Sequence, residues 1–286
     1  MNSLRYLFYT SRPISWINTA YPFAAPYFML GGRVDSRLVV GCIFFLVAYN
    51  LIMYGINDVF DYESDILNPR KGGVEGAITP KKYHRLIVIS SICFSLPFIV
   101  YLMIGASFAS NAVLVITLFF VVAYSAKGLR FKEIPILDSV TSSIHFVGPM
   151  IYAFTFFPVD ARHLLAVAAF FVWGMASHAF GAVQDILPDK EAEIDSIATK
   201  FGAKRTVYFS TGLYVMTVLM TLILSNYYAY IIACCLSLYV FNTFPFLRVT
   251  DRTSQRASVG WKRFLWLNYI TGAVITISLV ASQYFS

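Results

Sequence analysis

Residues 42–56 read CIFFLVAYNLIMYGI, an almost wholly apolar run, and lead directly into Asn57-Asp58-Val59-Phe60-Asp61-Tyr62-Glu63-Ser64-Asp65. The apolar part is the C-terminal portion of a predicted membrane-crossing helix over 37–56, and the carboxylates begin where that helix leaves the bilayer. The pattern recurs. A second apolar stretch, 162–184, ends in Asp185, Asp189, Glu191, Glu193 and Asp195. The chain has 15 acidic residues, and these two segments together with Glu75 hold ten of them. Carboxylates at a membrane edge are costly unless they bind something cationic, and a hard divalent metal, which prefers oxygen ligands, is the first candidate.

Composition agrees with a membrane setting. Of 286 residues, 58% are hydrophobic and 13% charged, and the mean hydropathy is +0.66. A soluble domain is nearer half apolar and a quarter charged. Long apolar stretches recur throughout, which predicts an all-α polytopic protein with nine crossings at 14–31, 37–56, 84–104, 111–126, 135–157, 162–184, 207–224, 227–247 and 263–283. With the N-terminus inside, 19 of the 22 Lys and Arg fall on the cytoplasmic side, leaving Arg33, Arg37 and Arg162 outside. The positive-inside rule then gives N-in, C-out in the cytoplasmic membrane, with both acidic clusters facing the cytoplasm. The net charge of +7 reflects this topology, with membrane lipid or an anionic substrate as partner. Nucleic acid is excluded as a partner, because no basic stripe lies on a soluble face. Cys42, Cys93, Cys234 and Cys235 fall inside predicted crossings without metal-binding spacing and read as apolar thiols. No n-h-c pattern of a cleavable signal peptide is evident. Residues 1–12 read equally as a short interfacial amphipathic helix or as a frayed terminus.

The whole chain, 1–286, reads as one domain with a weak internal duplication, 14–126 and 135–247, plus a final helix. The segment Gly55 to Asp61 resembles Ala182 to Asp189, each ending the second crossing of a four-crossing half. Parallel repeats of this kind place a shared site between halves. External connections are short. The cytoplasmic ones, 57–83, 125–134 and 185–206, are long and polar and form cap loops, while basic 248–262 reads as ordinary positive-inside signal.

Asp58, Asp61 and Asp65 are spaced i, i+3, i+7, and Asn57 and Asp61 i, i+4, so on a helix they share a face. Like charges so placed need a counter-charge. Magnesium fits, held by one or two carboxylates plus phosphate oxygens of a substrate. Asp185, Asp189 and Glu193 are spaced i, i+4, i+8, with Pro188 predicted to break the helix and leave Asp189 in the first turn of its restart. One such cluster alone reads equally as a solvated acidic loop; two on one side argue for a paired metal site. A basic run, Tyr124-Ser125-Ala126-Lys127-Gly128-Leu129-Arg130-Phe131-Lys132, suits a diphosphate and ends at Asp138. Arg70 and Lys71, in the glycine-bearing stretch Asn68 to Gly76, read as a substrate-covering lid or as a linker. The 26 Phe, 19 Tyr and 4 Trp are mostly packing, but ring faces can stabilise a cation once diphosphate leaves. His145 and His178, inside crossings, read equally as functional groups or as hydrogen-bonded packing residues.

These residues resemble the UbiA-type intramembrane prenyltransferases. Asn57, Asp58, Asp61 and Asp65 fill that family's N-D-x-x-D-x-x-x-D motif, and Asp185 and Asp189 its D-x-x-x-D motif, with Glu193 at the next step. Tyr124-Ser125 with Arg130 and Lys132 resembles the family's basic loop. Ser11 to Ala20, Tyr54 to Ala77, Leu129 to Lys132, Ser196 to Thr199 and Trp261 to Tyr269 are similar to the lycopene elongase branch, which makes extended C50-type carotenoids. Lys127-Gly128 departs from the pattern, which has the lysine one position later, and Gln184 and Pro188 are a second departure, around the second motif. The resemblance implies nine helices around a central cavity open to the bilayer. It implies two magnesium ions held by Asn57, Asp61, Asp65, Asp185, Asp189 and Glu193, with Asp58 completing the catalytic acids. Lys127, Arg130, Lys132, Arg70, Lys71 and Tyr124 would bind diphosphate. The implied reaction ionises dimethylallyl diphosphate and adds the allylic cation to the end of lycopene, with other carotenoid-pathway enzymes as neighbours. The alternatives are an aromatic, quinone-precursor or glycerol-lipid acceptor, a metal-coupled transporter, whose sites usually lie nearer the bilayer midplane, and a lipid phosphotransferase, for which no D-G-x-x-A-R run is present.

Overall fold

A computed structural model describes residues 3–67 and 78–285. Arg70 and Lys71 lie outside the described residues. Among the described residues there are helices and turns and no strand, as a chain that must satisfy its backbone inside lipid requires. In order, α1 is Ser3–Thr10, α2 Trp16–Met29, α3 Ser36–Ile43, α4 Tyr49–Phe60, α5 Tyr62–Leu67, α6 His84–Met103 and α7 Phe108–Ser125. There follow α8 Leu137–Phe154, α9 Ala161–Val183, α10 Ile186–Glu191, α11 Ile197–Phe201, α12 Ala203–Ile223, α13 Tyr227–Thr243 and α14 Ala257–Phe285.

Seven helical segments among the described residues are long and apolar enough to cross a membrane: 36–60, 81–103, 108–125, 161–183, 203–223, 227–246 and 251–283. The other two predicted crossings are helical but do not meet that description. α2 has 14 residues and contains Pro22 and Pro26, and at 1.5 Å per residue it covers about 21 Å, short of a bilayer core of about 30 Å. α8 carries Asp138, Ser139, Thr141, Ser142, Ser143 and His145. The predicted basic connection 248–262 is itself largely structured, a 3₁₀ turn Asp251–Arg256 running into α14. Bulky apolar side chains point outward, among them Ile92 (58% exposed), Ile223 (65%) and Ile277 (67%). That much exposed apolar surface suits lipid and not water. The chain is an integral membrane protein.

Loop chemistry stops and starts the helices. Asp35 caps α3 through Leu38 N (2.8 Å), Asp160 caps α9 through Arg162 and His163 N, and Asn226 caps α13 through Ala229 N (2.9 Å). Each gives an otherwise unpaired N–H an acceptor. Between α3 and α4 the chain does not break but widens into a π-helical turn, Phe44–Ala48. Its carbonyls are met by buried side chains: Thr19 Oγ1 donates to Phe45 O (2.7 Å), and Asn50 Nδ2 donates to Phe45 O (2.9 Å) and Leu46 O (3.0 Å).

Two compact units are present, 1–131 with 144–158, and 132–143 with 159–286. The first packs around rings: Phe23 lies 5.1 Å from Phe45, and Phe45 lies 5.3 Å from Tyr49. Tyr49 and Tyr152 hydroxyls donate to His145 O and Leu102 O, so the rings bury without stranding their polar ends. Ser91 and Ser95 of α6 donate to Leu51 O and Ala48 O of the neighbouring helical turns. The second unit uses the same devices. Ser210 of α12 donates to Ala176 O of α9 (2.7 Å), Tyr214 stacks on Tyr239 at 5.3 Å, and Asn242 donates to Gly260 O. Small residues bring helices close, as expected in lipid. A Cβ at Gly148 would lie 2.4 Å from Thr117 Cγ2.

Gly148→Ala should therefore destabilise the first unit by about 1–3 kcal/mol, since Thr117 is β-branched and buried and cannot swing away. Adding Thr117→Ala should recover most of the loss in unfolding measured in detergent micelles.

Candidate active site

The first acidic motif sits where α4 gives way to α5. Asp61 occupies the junction, with φ −100° and ψ 3°, so the helix bends at the second aspartate. Backbone bonds nevertheless run through the bend: Asp61 N donates to Asn57 O (2.9 Å) and Asp65 N to Asp61 O (2.8 Å). The i, i+4 spacing read from the sequence survives. Asp58, Asp61 and Asp65 are buried, at 2%, 4% and 8% exposure, and a buried carboxylate needs a donor or a cation.

Those partners come from α4 itself and from distant parts of the chain. Asn57 Nδ2 donates to Asp61 Oδ2 (2.5 Å) and to Ser125 Oγ (3.0 Å) at the end of α7. Arg130 reaches Asp61 Oδ1 at 3.7 Å. It does so through a tight turn in which Leu129 N and Arg130 N both bond Ala126 O. That turn places Gly128 at φ 94° and Arg130 itself at φ 42°, and glycine takes the left-handed conformation at no steric cost. Of the other predicted diphosphate ligands, Lys127 is exposed, Lys132 is half-buried, and Tyr124 is half-buried with its ring 5.1 Å from that of His145.

Arg12 is the residue that spacing alone did not single out. It donates to Asp58 Oδ1 at 2.7 Å, its guanidinium lies 4.1 Å from the centre of the Tyr54 ring, and its backbone is left-handed at φ 49°. Burial alone would lower the guanidinium pKa, but the Asp58 carboxylate, helped by Tyr54 and Asp65, outweighs it and holds the pKa above its ordinary value. The signal available beforehand was the segment Ser11-Arg12-Pro13, not any spacing to the acids.

The second motif differs locally. α9 ends at Val183, and Asp185 precedes α10 with φ −92°. The break thus falls at Gln184-Asp185, ahead of Pro188. The proline sits within the first turn of α10, where no donor is needed, and Asp189 lies in that turn as predicted. Asp189 N bonds Asp185 O (2.8 Å). Glu193 falls beyond α10, exposed, with φ 55°, so the helical spacing does not extend to it. Gln184 folds back onto Gly181 O (3.1 Å), whereas Asn57, its counterpart, reaches across to Asp61. Lys190 pairs with Asp251 at 2.7 Å, an exposed contact.

The pattern of the UbiA prenyltransferase family matches residues 20–268. The chain belongs to the UbiA prenyltransferase family. It is a prenyltransferase. Among its relatives, a protein of Corynebacterium glutamicum named lycopene elongase/hydratase is 47% identical over 283 residues, 98% of each chain. The C(50) beta-cyclic carotenoids biosynthesis protein LbtBC of Dietzia sp. is 47% identical over 272 residues, 94% of this chain and 63% of that one. The fold matches that of a UbiA homolog from Archaeoglobus fulgidus bound to DMAPP and Mg2+, with a TM-score of 0.67 at 18% identity, covering 95% of this chain and 99% of the other.

The UbiA family membership implies a divalent metal, and the first motif fits one. Its donors are oxygens, from buried Asp61 and Asp65 and half-buried Asn57, the set a hard cation takes. Among the described residues no three His, Cys, Asp or Glu side chains gather on one point. Magnesium does not require that, because it commonly uses one or two carboxylates and completes its shell with water and substrate phosphate.

Arg12→Met should cost about 3–5 kcal/mol of stability by leaving Asp58 buried and unanswered. Arg12→Met combined with Asp58→Leu should be closer to wild type than Arg12→Met alone, in a double-mutant cycle read by detergent-phase unfolding.

Proposed function

We propose that this chain transfers a dimethylallyl group from its diphosphate to the end of lycopene. The observation that carries the acceptor is the 47% identity, across 98% of both chains, with a protein named lycopene elongase/hydratase. The donor reading is supported by the first motif, where Asn57 and Arg130 converge on Asp61.

In this reading Arg130, Lys127, Lys132 and Tyr124, with Arg70 and Lys71, bind the diphosphate. Asn57, Asp61 and Asp65 from the first motif, and Asp185, Asp189 and Glu193 from the second, hold two magnesium ions. When bound, magnesium neutralises the diphosphate and makes it a better leaving group. Asp58 acts through its pairing with Arg12, which fixes the end of α4. The apolar interior excludes water from the allylic cation, and aromatic faces stabilise it. A terminal double bond of lycopene attacks that cation. The new tertiary cation then loses a proton or takes up water. The protein lies in the cytoplasmic membrane, N-in and C-out, with both motifs facing the cytoplasm.

A lycopene-producing host that expresses this chain should accumulate carotenoids heavier by one or two five-carbon units. Unaltered lycopene beside folded protein, or a prenylated aromatic in the membrane extract, would move the acceptor elsewhere. Asp61→Ala and Asp185→Ala should each abolish turnover with folding intact, by diphosphate release and thermal unfolding. Arg130→Ala should raise the KM for the diphosphate donor more than that for the acceptor.

A further inference from the structure

A groove of about 490 Å³ lies on the surface of the first unit. Leu7, Phe8 and Trp16 form one side of it, and Leu51, Cys93 and Phe94, from α4 and α6, form the other. Phe8, Cys93 and Phe94 are exposed, so the groove opens outward. The second side belongs to 36–60 and 81–103, which are long and apolar enough to cross a membrane. The volume is that of a small-molecule site. Polar groups in the N-terminal wall answer one another. Trp16 Nε1 donates to Ser11 O (3.0 Å) and Ser11 Oγ (3.1 Å), and Ser11 Oγ donates to Phe8 O (2.7 Å). A water held in a cavity needs about two to four polar partners. The groove therefore suits hydrocarbon better than water.

Charge decides which hydrocarbon. The rings of Tyr6, on α1, and Tyr83, just before α6, have centroids 4.5 Å apart. Arg5 precedes the first ring and Lys82 the second, and both cations are exposed. Arg5 leans on Tyr9, 5.5 Å from the ring centre, and Lys82 Nζ on Tyr83, at 5.1 Å. Like charges brought to one place favour an anion between them. Nearby Glu63 is already paired with Lys81. Lycopene has no charged end. A phospholipid ties hydrocarbon chains to a phosphate, and basic residues at a membrane surface draw the anionic ones.

We infer that the groove holds one acyl chain of an anionic phospholipid, with its phosphate between Arg5 and Lys82, and that the chain braces the turn presenting Arg12 to Asp58. The bracing follows from position. Ser11 and Trp16 both line the groove. Between them Arg12 is left-handed, at φ 49°, and bonds Asp58. A left-handed arginine persists only while its surroundings hold it there. Without a chain against Ser11 and Trp16, one side of that turn would lose its packing partners. The role in turnover rests on the prenyl-transfer reading above; the binding does not.

The test uses the purified full chain in detergent micelles, titrated with phosphatidylglycerol or phosphatidylcholine brominated on the acyl chains. Bromine quenches tryptophan on contact, and the share due to Trp16 is the share lost in Trp16→Phe. That share should saturate, at about thirtyfold less phosphatidylglycerol than phosphatidylcholine, the ratio that two basic contacts give at an anionic surface. Arg5→Gln combined with Lys82→Gln should erase the ratio. Cys93→Phe and Ser90→Leu each fill the groove, and each should remove the saturable share while thermal unfolding shows a folded chain. Dimethylallyl transfer by delipidated wild type should rise with phosphatidylglycerol to the same half-point, and stay flat in Cys93→Phe. Quenching that is linear in lipid and equal for both headgroups, or unchanged by both fillings, would overturn the site. Displacement of the brominated lipid by an equal concentration of lycopene would make this a carotenoid groove and overturn the lipid assignment. Turnover indifferent to a lipid that saturates the quenching would overturn the bracing alone. A wild type with no transfer in any lipid would overturn the prenyl-transfer reading, and the quenching would still decide the site.

Discussion

A carboxylate taken out of water must be met by a cation or by donors, and the end of α4 has to meet that requirement three times within eight residues. Arg12 answers Asp58, and Asn57 and Arg130 converge on Asp61. Arg12 and Arg130 come from segments far apart in sequence. The requirement therefore does more than hold one helix end together. It pins the turn after α1, the end of α7 and the tight turn at Gly128 onto α4. Breaking the Arg12–Asp58 pair from the arginine side costs about 3–5 kcal/mol, a large share of a membrane protein's marginal stability.

The two acidic motifs look alike in sequence but meet the same need differently. In the first, Asn57 spans to Asp61 and to Ser125. In the second, the longer side chain of Gln184 turns back on its own helix at Gly181. Asp185 and Asp189 are half-buried where Asp58, Asp61 and Asp65 are buried. The second motif is the wetter of the two, and its acids carry the smaller desolvation cost.

Much of this was legible beforehand because the bilayer leaves few options. Long apolar runs in lipid must be helices, and i, i+4 spacing survives even the bend at Asp61. What the sequence concealed has physical causes. α2 has only 14 residues, with Pro22 and Pro26 inside it, and α8 is diluted by a row of hydroxyls, so neither reads as a full crossing by length and hydropathy. The break in the second motif falls before Pro188, because a proline in a first turn forfeits no hydrogen bond. Glu193 matched a periodicity that α10 does not last long enough to use. Arg12 lies 46 residues from Asp58, and no local pattern encodes a contact at that range.

The π-helical turn at Phe44–Ala48 has a consequence for heredity. It houses one residue more than an α-helix of the same rise, and Thr19 and Asn50 accommodate the surplus. Losing one codon there would return the turn to plain α-helix over the same rise and leave everything downstream facing as before. Losing one in Tyr49–Phe60, the α-helical stretch that follows, would instead turn Asp58 and Asp61 by about 100° away from Arg12 and Arg130, with every one of their own codons intact. The turn is thus a stretch of slack that bears an in-frame deletion, and the plain apolar residues between it and the acids keep the motif's bearing.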